Sequence, residues 1–441
     1  MFSSHTTADE YGGRFNHLYG ARSELNTSPR PPIVFACANF PWPLHQGVKL
    51  RLYHIIQALV TVYDVHLVVM TDSGRDLIDE SGLAEVCSSI TLVPMSSAQF
   101  RLDDASPFWN SRMAARLRQL FLDRLPSMVR GFQSTDLSRA LSALHTDFGD
   151  IPFWSDLPAF AELAVRVGFS RVLVDYDDIE SEQASRSLKP LAWWRPGRVL
   201  VMIDVIKLRR YERTMAQRFS AIVIARPKDV RYFGRDTSRV LLVPNGIALS
   251  ATLGPQSNDC TLLFVGSFGW GPNSEAVEWM VDFVMPLILA QRPGVRLVAV
   301  GQRGSIDWAT RMRARGVELF ESVDSLVPFY TDATVVVAPL RRGSGTKIKV
   351  LEAMMAGRPI VATEVAMEGI QANHDDAVLI ANSAADFATA TLQLLENSSL
   401  RNHIGNRARN IAKSLYAWET IRPAILSAAG AISSSAERKP Q

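Results

Sequence analysis

The chain of 441 residues is poor in several things that would narrow its function at once. Its three cysteines, Cys37, Cys87 and Cys260, lie far apart without paired spacing. That excludes a disulfide framework and a cysteine-rich zinc site, and it fits a reducing compartment. Neither sign of charge dominates, since 47 Lys and Arg face 44 Asp and Glu for a formal net charge of +3. So even a balance gives no electrostatic footprint for nucleic acid. No apolar run reaches the ~18 residues that a bilayer span needs. The first thirty residues carry Asp9, Glu10 and Glu24 and lack the apolar stretch of a secretory signal, so the expected location is cytoplasmic. A G-x-G-x-x-G dinucleotide fingerprint is missing as well, which counts against a nicotinamide enzyme.

What remains is an ordinary globular composition, 47% hydrophobic and 21% charged, enough to bury a large core. The length suggests about two to four domains. Residues 1–30 are polar and without apolar period, and are expected to be a mobile tail. From Pro31 onward, short β-branched runs (33–38, 64–70, 90–95, 171–176 and 221–225) alternate with amphipathic helical stretches such as 48–60. Near-continuous apolar strands alternating with helices predict an α/β fold with a parallel sheet covered on both faces. The same grammar restarts after Val243-Pro244-Asn245-Gly246, with strands at 261–266, 295–301, 333–340 and 358–363. The expected division is a Rossmann-like domain over 31–243, a second over 244–415, and a closing segment 416–441 whose helix can cross back before a tail.

In open α/β sheets, ligands gather at the carboxyl ends of strands, where helix N-termini present unpaired N–H groups. Three junctions fit. In the first, Gly343 and Gly345 let the backbone turn tightly after the strand ending at Leu340. Thr346 can cap the helix that follows, expected from about Lys347 to Ala356. Arg341, Arg342, Lys347 and Lys349 place four cations around that N-terminus, a diphosphate site in physical terms. Glu352 follows Lys349 by three residues and shares its face; taken alone, the pair also fits a solvated surface helix. The second junction is 39–54, where Pro41 and Pro43 force an extended loop and Gly47 permits close approach. Its counterpart at 266–279 has glycines at 266, 269 and 271, with Asn273 or Ser274 as helix cap. The third is the acidic strand end at 174–183, with Asp175, Asp177, Asp178, Glu180 and Glu182. Glu180 and Glu182 fit the simpler role of complementing a helix dipole, which leaves Asp177 and Asp178 to face the cleft.

These residues resemble retaining glycosyltransferase family 4. The segment G-S-G-T-K-I-K-V-L-E-A-M-M-A-G-R-P-I-V-A-T (343–363) is similar to that family's donor motif. So are V-P-N-G-I (243–247), F-V-G-S-F followed by P-N-S-E-A-V-E-W (264–279), and P-x-P with G-x-x-x-R (41–51). The resemblance implies a GT-B architecture, two facing Rossmann-like domains with parallel sheets and an interdomain cleft. It implies a nucleoside-diphosphate sugar as donor, bound mainly by the second domain, an acceptor held by the first, and no metal or other cofactor. On this reading Arg341, Lys347, Glu352 and Asp177 carry catalysis. Gly266, Ser267, Asn273, Gly343, Ser344, Gly345, Thr346, Lys349, Glu368 and Gly369 hold the donor, and Gly47, Arg51 and Asp178 the acceptor side.

Departures from the family pattern are visible. Ser344 stands where the first of two paired glutamates is expected, with Glu352 as the second, the ribose contact. Ser267, Phe268 and Trp270 replace a diphosphate-clamping Arg and Lys, so the cations are expected from Arg341, Lys347 and Lys349. A histidine common at the first domain's strand end corresponds to the Asp175–Asp178 region.

The stretch 107–132 combines Phe108, Trp109, Leu117, Phe121 and Leu125 with Arg112, Arg116, Arg118 and Arg124. It suits an anionic membrane surface or a lipid-linked diphosphate, as does Trp193-Trp194-Arg195, though a core-facing helix with a solvated basic face accounts for it as well. The expectation is an enzyme of cell-surface polysaccharide assembly, peripheral to the inner face of the membrane. A sugar-nucleotide epimerase on the same fold and a weakened sugar-nucleotide-binding scaffold are the competing readings.

Overall fold

A computed structural model of the chain describes residues 17–19, 30–44, 46–72, 76–95, 125–132, 134–187, 196–248, 259–343 and 345–434. The residues expected at 107–124 and 193–195 to form a membrane patch, and Ser344, lie outside these.

The β-branched runs form two sheets. The first holds β1 (His17–Tyr19), β2 (Pro32–Cys37), β3 (Asp64–Met70), β4 (Ser89–Val93), β5 (Phe153–Ser155), β6 (Val172–Tyr176), β7 (Ala221–Ile224) and β8 (Val240–Leu242), in the order β1-β4-β3-β2-β5-β6-β7-β8. Its neighbours run parallel except β1, which pairs antiparallel with β4. Three residues of the expected tail thus form an edge strand. The second sheet is wholly parallel: β9 (Thr261–Val265), β10 (Arg296–Gly301), β11 (Val317–Glu321), β12 (Val335–Ala338), β13 (Ile360–Ala362) and β14 (Leu379–Ile380), in the order β11-β10-β9-β12-β13-β14.

The two-residue period of a strand explains why both faces are covered. In β2, Ile33, Phe35 and Cys37 point into one core and Val34 and Ala36 into the other. On the first side lie Leu52, Ile55, Ile56 and Leu59 of the helix Gly47–Leu59, together with Ile421, Ile425 and Ile432 of the helix Trp418–Ser433. That last helix begins beyond the second sheet, yet it packs on the first. At its start, a Cβ on Gly246 would come within 2.6 Å of the Trp418 ring. The backbone of Ile247 also pairs with Tyr416 and Trp418.

Apart from the antiparallel edge strand β1, each sheet reverses its strand order once, between β2 and β5 and between β9 and β12. Such reversals open a crevice at the strands' carboxyl ends. Both candidate sites sit there.

Candidate functional site

The second sheet contributes the loops after β9 and β12. After β9, Gly266 lets two side chains close over the backbone. A Cβ there would fall 2.7 Å from Lys349 Nζ and 2.8 Å from Asn273 Nδ2. Asn273 is buried, donates to the Ser267 carbonyl at 2.8 Å and accepts from Lys349 Nζ. Neither Asn273 nor Ser274 caps its helix. Helix Gly271–Trp279 already starts before both, with Trp270 as its N-cap, and Ser274 Oγ instead donates to the Phe268 carbonyl.

After β12, Gly343 and Gly345 take positive φ of 121° and 74°, as the tight turn requires. The following helix, Ile348–Met355, has Lys347 as its N-cap and no side-chain cap. Thr346 therefore does not cap. Its hydroxyl is buried without a hydrogen-bond partner, beside the place where a Cβ on Gly369 would sit. The four expected cations separate into two pairs. Lys347, 4% exposed, donates to the Gly345 carbonyl at 2.6 Å, and Lys349 sits 4.6 Å from the Phe264 ring. Arg341 instead lies over Trp279 at 5.9 Å, and Arg342 pairs with Glu275. Those two engage the neighbouring helix rather than the turn.

Lys349 and Glu352 share a face of the helix, as their spacing predicts, and burial moves both towards neutrality. Desolvation lowers the Lys349 ammonium to about 7 and raises the Glu352 carboxyl to about 7. Tyr330 donates to Glu352 at 3.2 Å and holds its orientation.

The first sheet faces these loops with carboxylates. Asp178 pairs with Arg226 at 2.9 Å and stands 2.6 Å from where a Cβ on Gly345 would lie, so the two halves touch at this point. Burial, followed by the Asp177 charge, lifts the Asp178 carboxyl to about 6 against the pull of Arg226 and Lys347. Lys228 pairs with Glu368, and a Cβ on Gly369 would press on Arg226 at 3.0 Å, a second bridge between the halves. Gly47 approaches Ile348 of the Ile348–Met355 helix, where a Cβ would be 3.1 Å away.

Arg51 is a strut more than a ligand. It is 1% exposed and binds Asp175 through two bonds of 2.8 and 3.0 Å. It also donates to the Val243 carbonyl and to Asn245 Oδ1, each at 3.0 Å. Asn245 in turn donates to Asp177. The turn that links the halves is thereby tied to the acidic strand end.

Beneath these groups lies a pocket of about 320 Å³, lined among others by Asn39, Phe132, Asp156, Asp177, Asp178 and Glu180. Asp156 accepts from the Ala38 amide at 3.1 Å, and its Oδ1 has no partner. Burial raises its carboxyl to about 8 and that of Glu180 to about 7. Burial thus shifts both carboxyls towards the protonated form, in which a carboxylic acid can donate a hydrogen bond. Asp156, Asn245, Arg226 and Tyr330 were not visible as site residues in the sequence. Only the V-P-N-G turn hinted at Asn245. Among the described residues no group of three His, Cys, Asp or Glu is placed to hold a metal ion, and no helix is long and apolar enough to cross a membrane.

Residues 259–397 match the family described as Glycosyl transferases group 1. The chain is 23% identical over 169 residues to an uncharacterized 44.6 kDa protein in the cps region of Klebsiella pneumoniae, a match spanning 36% of this chain and 43% of that relative, less than half its length. Among solved structures, HepE of Anabaena in complex with UDP and glucose superposes with a TM-score of 0.60 at 13% identity, covering 90% of this chain and 99% of that one. Sucrose-phosphate synthase of Thermosynechococcus elongatus does so with a TM-score of 0.62 at 17% identity, covering 90% and 98%. At such identities the likeness speaks for the fold. The chain has the two-sheet GT-B architecture of these glycosyltransferase structures, and its second half matches a Glycosyl transferases group 1 domain.

Proposed function

We propose that the chain is a retaining glycosyltransferase that moves a sugar from a nucleoside diphosphate to an acceptor hydroxyl in polysaccharide assembly, with a lipid-linked or cell-surface acceptor. The observation that carries this reading is the Gly343–Lys349 turn. It offers the buried Lys347, the half-buried Lys349 and a helix N-terminus to the cleft, opposite Asp178 and Arg226 of the other half. The group 1 match covers this turn, HepE is seen with UDP, and the Klebsiella relative lies in a cps region.

As the bond to the anomeric carbon breaks, negative charge grows on the departing diphosphate. Lys347, Lys349 and the N–H groups at the start of the Ile348–Met355 helix face that charge and stabilise it more than the ground state. Both lysines hold protein oxygens in this structure, Lys347 the Gly345 carbonyl and Lys349 Asn273. They exchange these for phosphate oxygens when the donor enters. Glu352, fixed by Tyr330, positions the ribose and does not act as a nucleophile. Asp177 and Asp178 orient the acceptor, whose hydroxyl gives its proton to a phosphate oxygen on the same face of the sugar. The experiment is an NMR assay of the product's anomeric proton. Retention appears as the donor's own configuration in the product, and the opposite anomer rejects the mechanism.

A further inference from the structure

The helix Pro196–Ala216 carries a face that stays exposed among the described residues. On its inner side Leu208 and Tyr211 are buried against Val129. On the outer side, at spacings of three and four residues, Val199, Met202 and Ile206 are 49%, 46% and 61% exposed. The same face continues into Arg209, Arg210 and Arg213, all exposed. Single exposed apolar side chains are ordinary, but three in a helical row ending in three arginines form a patch that calls for a partner.

The charge decides which partner. The apolar end needs a hydrocarbon environment and the basic end needs anions, and the surface that supplies both side by side is an anionic bilayer.

The position of the face is also informative. The helix ends at Ala216, five residues before β7 starts at Ala221, so its last turn lies at the amino edge of the sheet. Its 21 residues extend about 30 Å back towards the carboxyl edge, where the pocket opens. Val199, Met202 and Ile206 are therefore at the cleft end. They are joined to the pocket by one short helix: the Ser127 amide donates to Asp204 at 3.0 Å, and Phe132, just beyond that helix, lines the pocket.

We propose that this outer face rests on an anionic membrane with its apolar end beside the pocket, so that an acceptor carried by a lipid reaches the pocket without leaving the bilayer. The acceptor clause rests on the glycosyltransferase reading, while the docking does not.

The test is co-sedimentation of the full chain with vesicles of phosphatidylcholine alone or mixed with phosphatidylglycerol. Binding is expected to the mixed vesicles only and to weaken with salt. A Met202→Glu/Ile206→Glu variant should bind about tenfold more weakly or worse, and an Arg209→Glu/Arg210→Glu variant should lose the salt dependence. Both change exposed residues, so the melting temperature and nucleoside-diphosphate binding, measured alongside, should stay as in the parent. Failure of nucleotide binding in the parent would count against the function, not the docking. Three results overturn the docking: no parental binding to mixed vesicles, binding unchanged in both variants, or an oligomer that Ile206→Glu dissociates.

Discussion

Asp178 and Gly345 meet across the two halves of the molecule: a Cβ on Gly345 would come within 2.6 Å of Asp178 Oδ2. Glycine there lets the turn after β12 approach the acidic end of β6, and its φ of 74° suits no side chain well. Gly345→Ala is expected to cost ~1–2 kcal/mol in backbone strain and to push the turn off Asp178. The chain should still fold with a slightly lower melting temperature while kcat/KM falls by about tenfold or more. A variant with full activity would contradict the closeness of the two loops.

Lys349 gives a pH signature. With its ammonium lowered to about 7 by burial, it carries charge below that pH and loses it above. Affinity for a nucleoside diphosphate is expected to fall as pH rises from about 7 to 9, and the bound anion should move the transition upward. Lys349→Arg keeps its charge throughout that range and should flatten the profile. Isothermal titration at several pH values reads it.

Asp156 gives the opposite kind of signature, in stability. Its folded carboxyl titrates at about 8 and its unfolded one near 3.8, so the folded state holds the extra proton between those values. The contribution is full below the unfolded value and is lost as pH rises through about 8. Asp156→Asn removes the titration. Its melting temperature should gain on the parent's between pH 6 and pH 9, as calorimetry at the two values would show.

Arg51 tests structure against ligand binding. Arg51→Ala leaves Asp175 buried without its partner, which typically costs ~3–5 kcal/mol. The melting temperature should drop by several degrees. A stable variant with weakened acceptor use would instead make Arg51 a binding residue.

Much of this was legible in the sequence because it is local. The β-branched runs forecast most strands, and Gly343 and Gly345 followed by Lys347 and Lys349 marked the tight turn before the Ile348–Met355 helix. What escaped depends on contacts far along the chain. Arg226 reaches Asp178 and Tyr330 reaches Glu352, pairs that no spacing shows. Asp156 follows β5, a strand of three residues and too short to give a period. The caps were misread because Asn273 and Thr346 look like caps locally, whereas Asn273 is committed to Ser267 and Lys349, and Thr346 lies before the N-cap. Arg341 and Arg342 carry the right charge at the right place in sequence, yet Trp279 and Glu275 draw them to the adjoining helix.

The most direct measurement is release of free nucleoside diphosphate by the purified chain from UDP-, GDP-, ADP- and dTDP-sugars, beside a Lys347→Ala variant. One donor is expected to stabilise the protein and be slowly hydrolysed, with turnover reduced about 10²- to 10³-fold in the variant. Binding of no donor, or equal turnover in the variant, would contradict a diphosphate site at the Gly343–Lys349 turn.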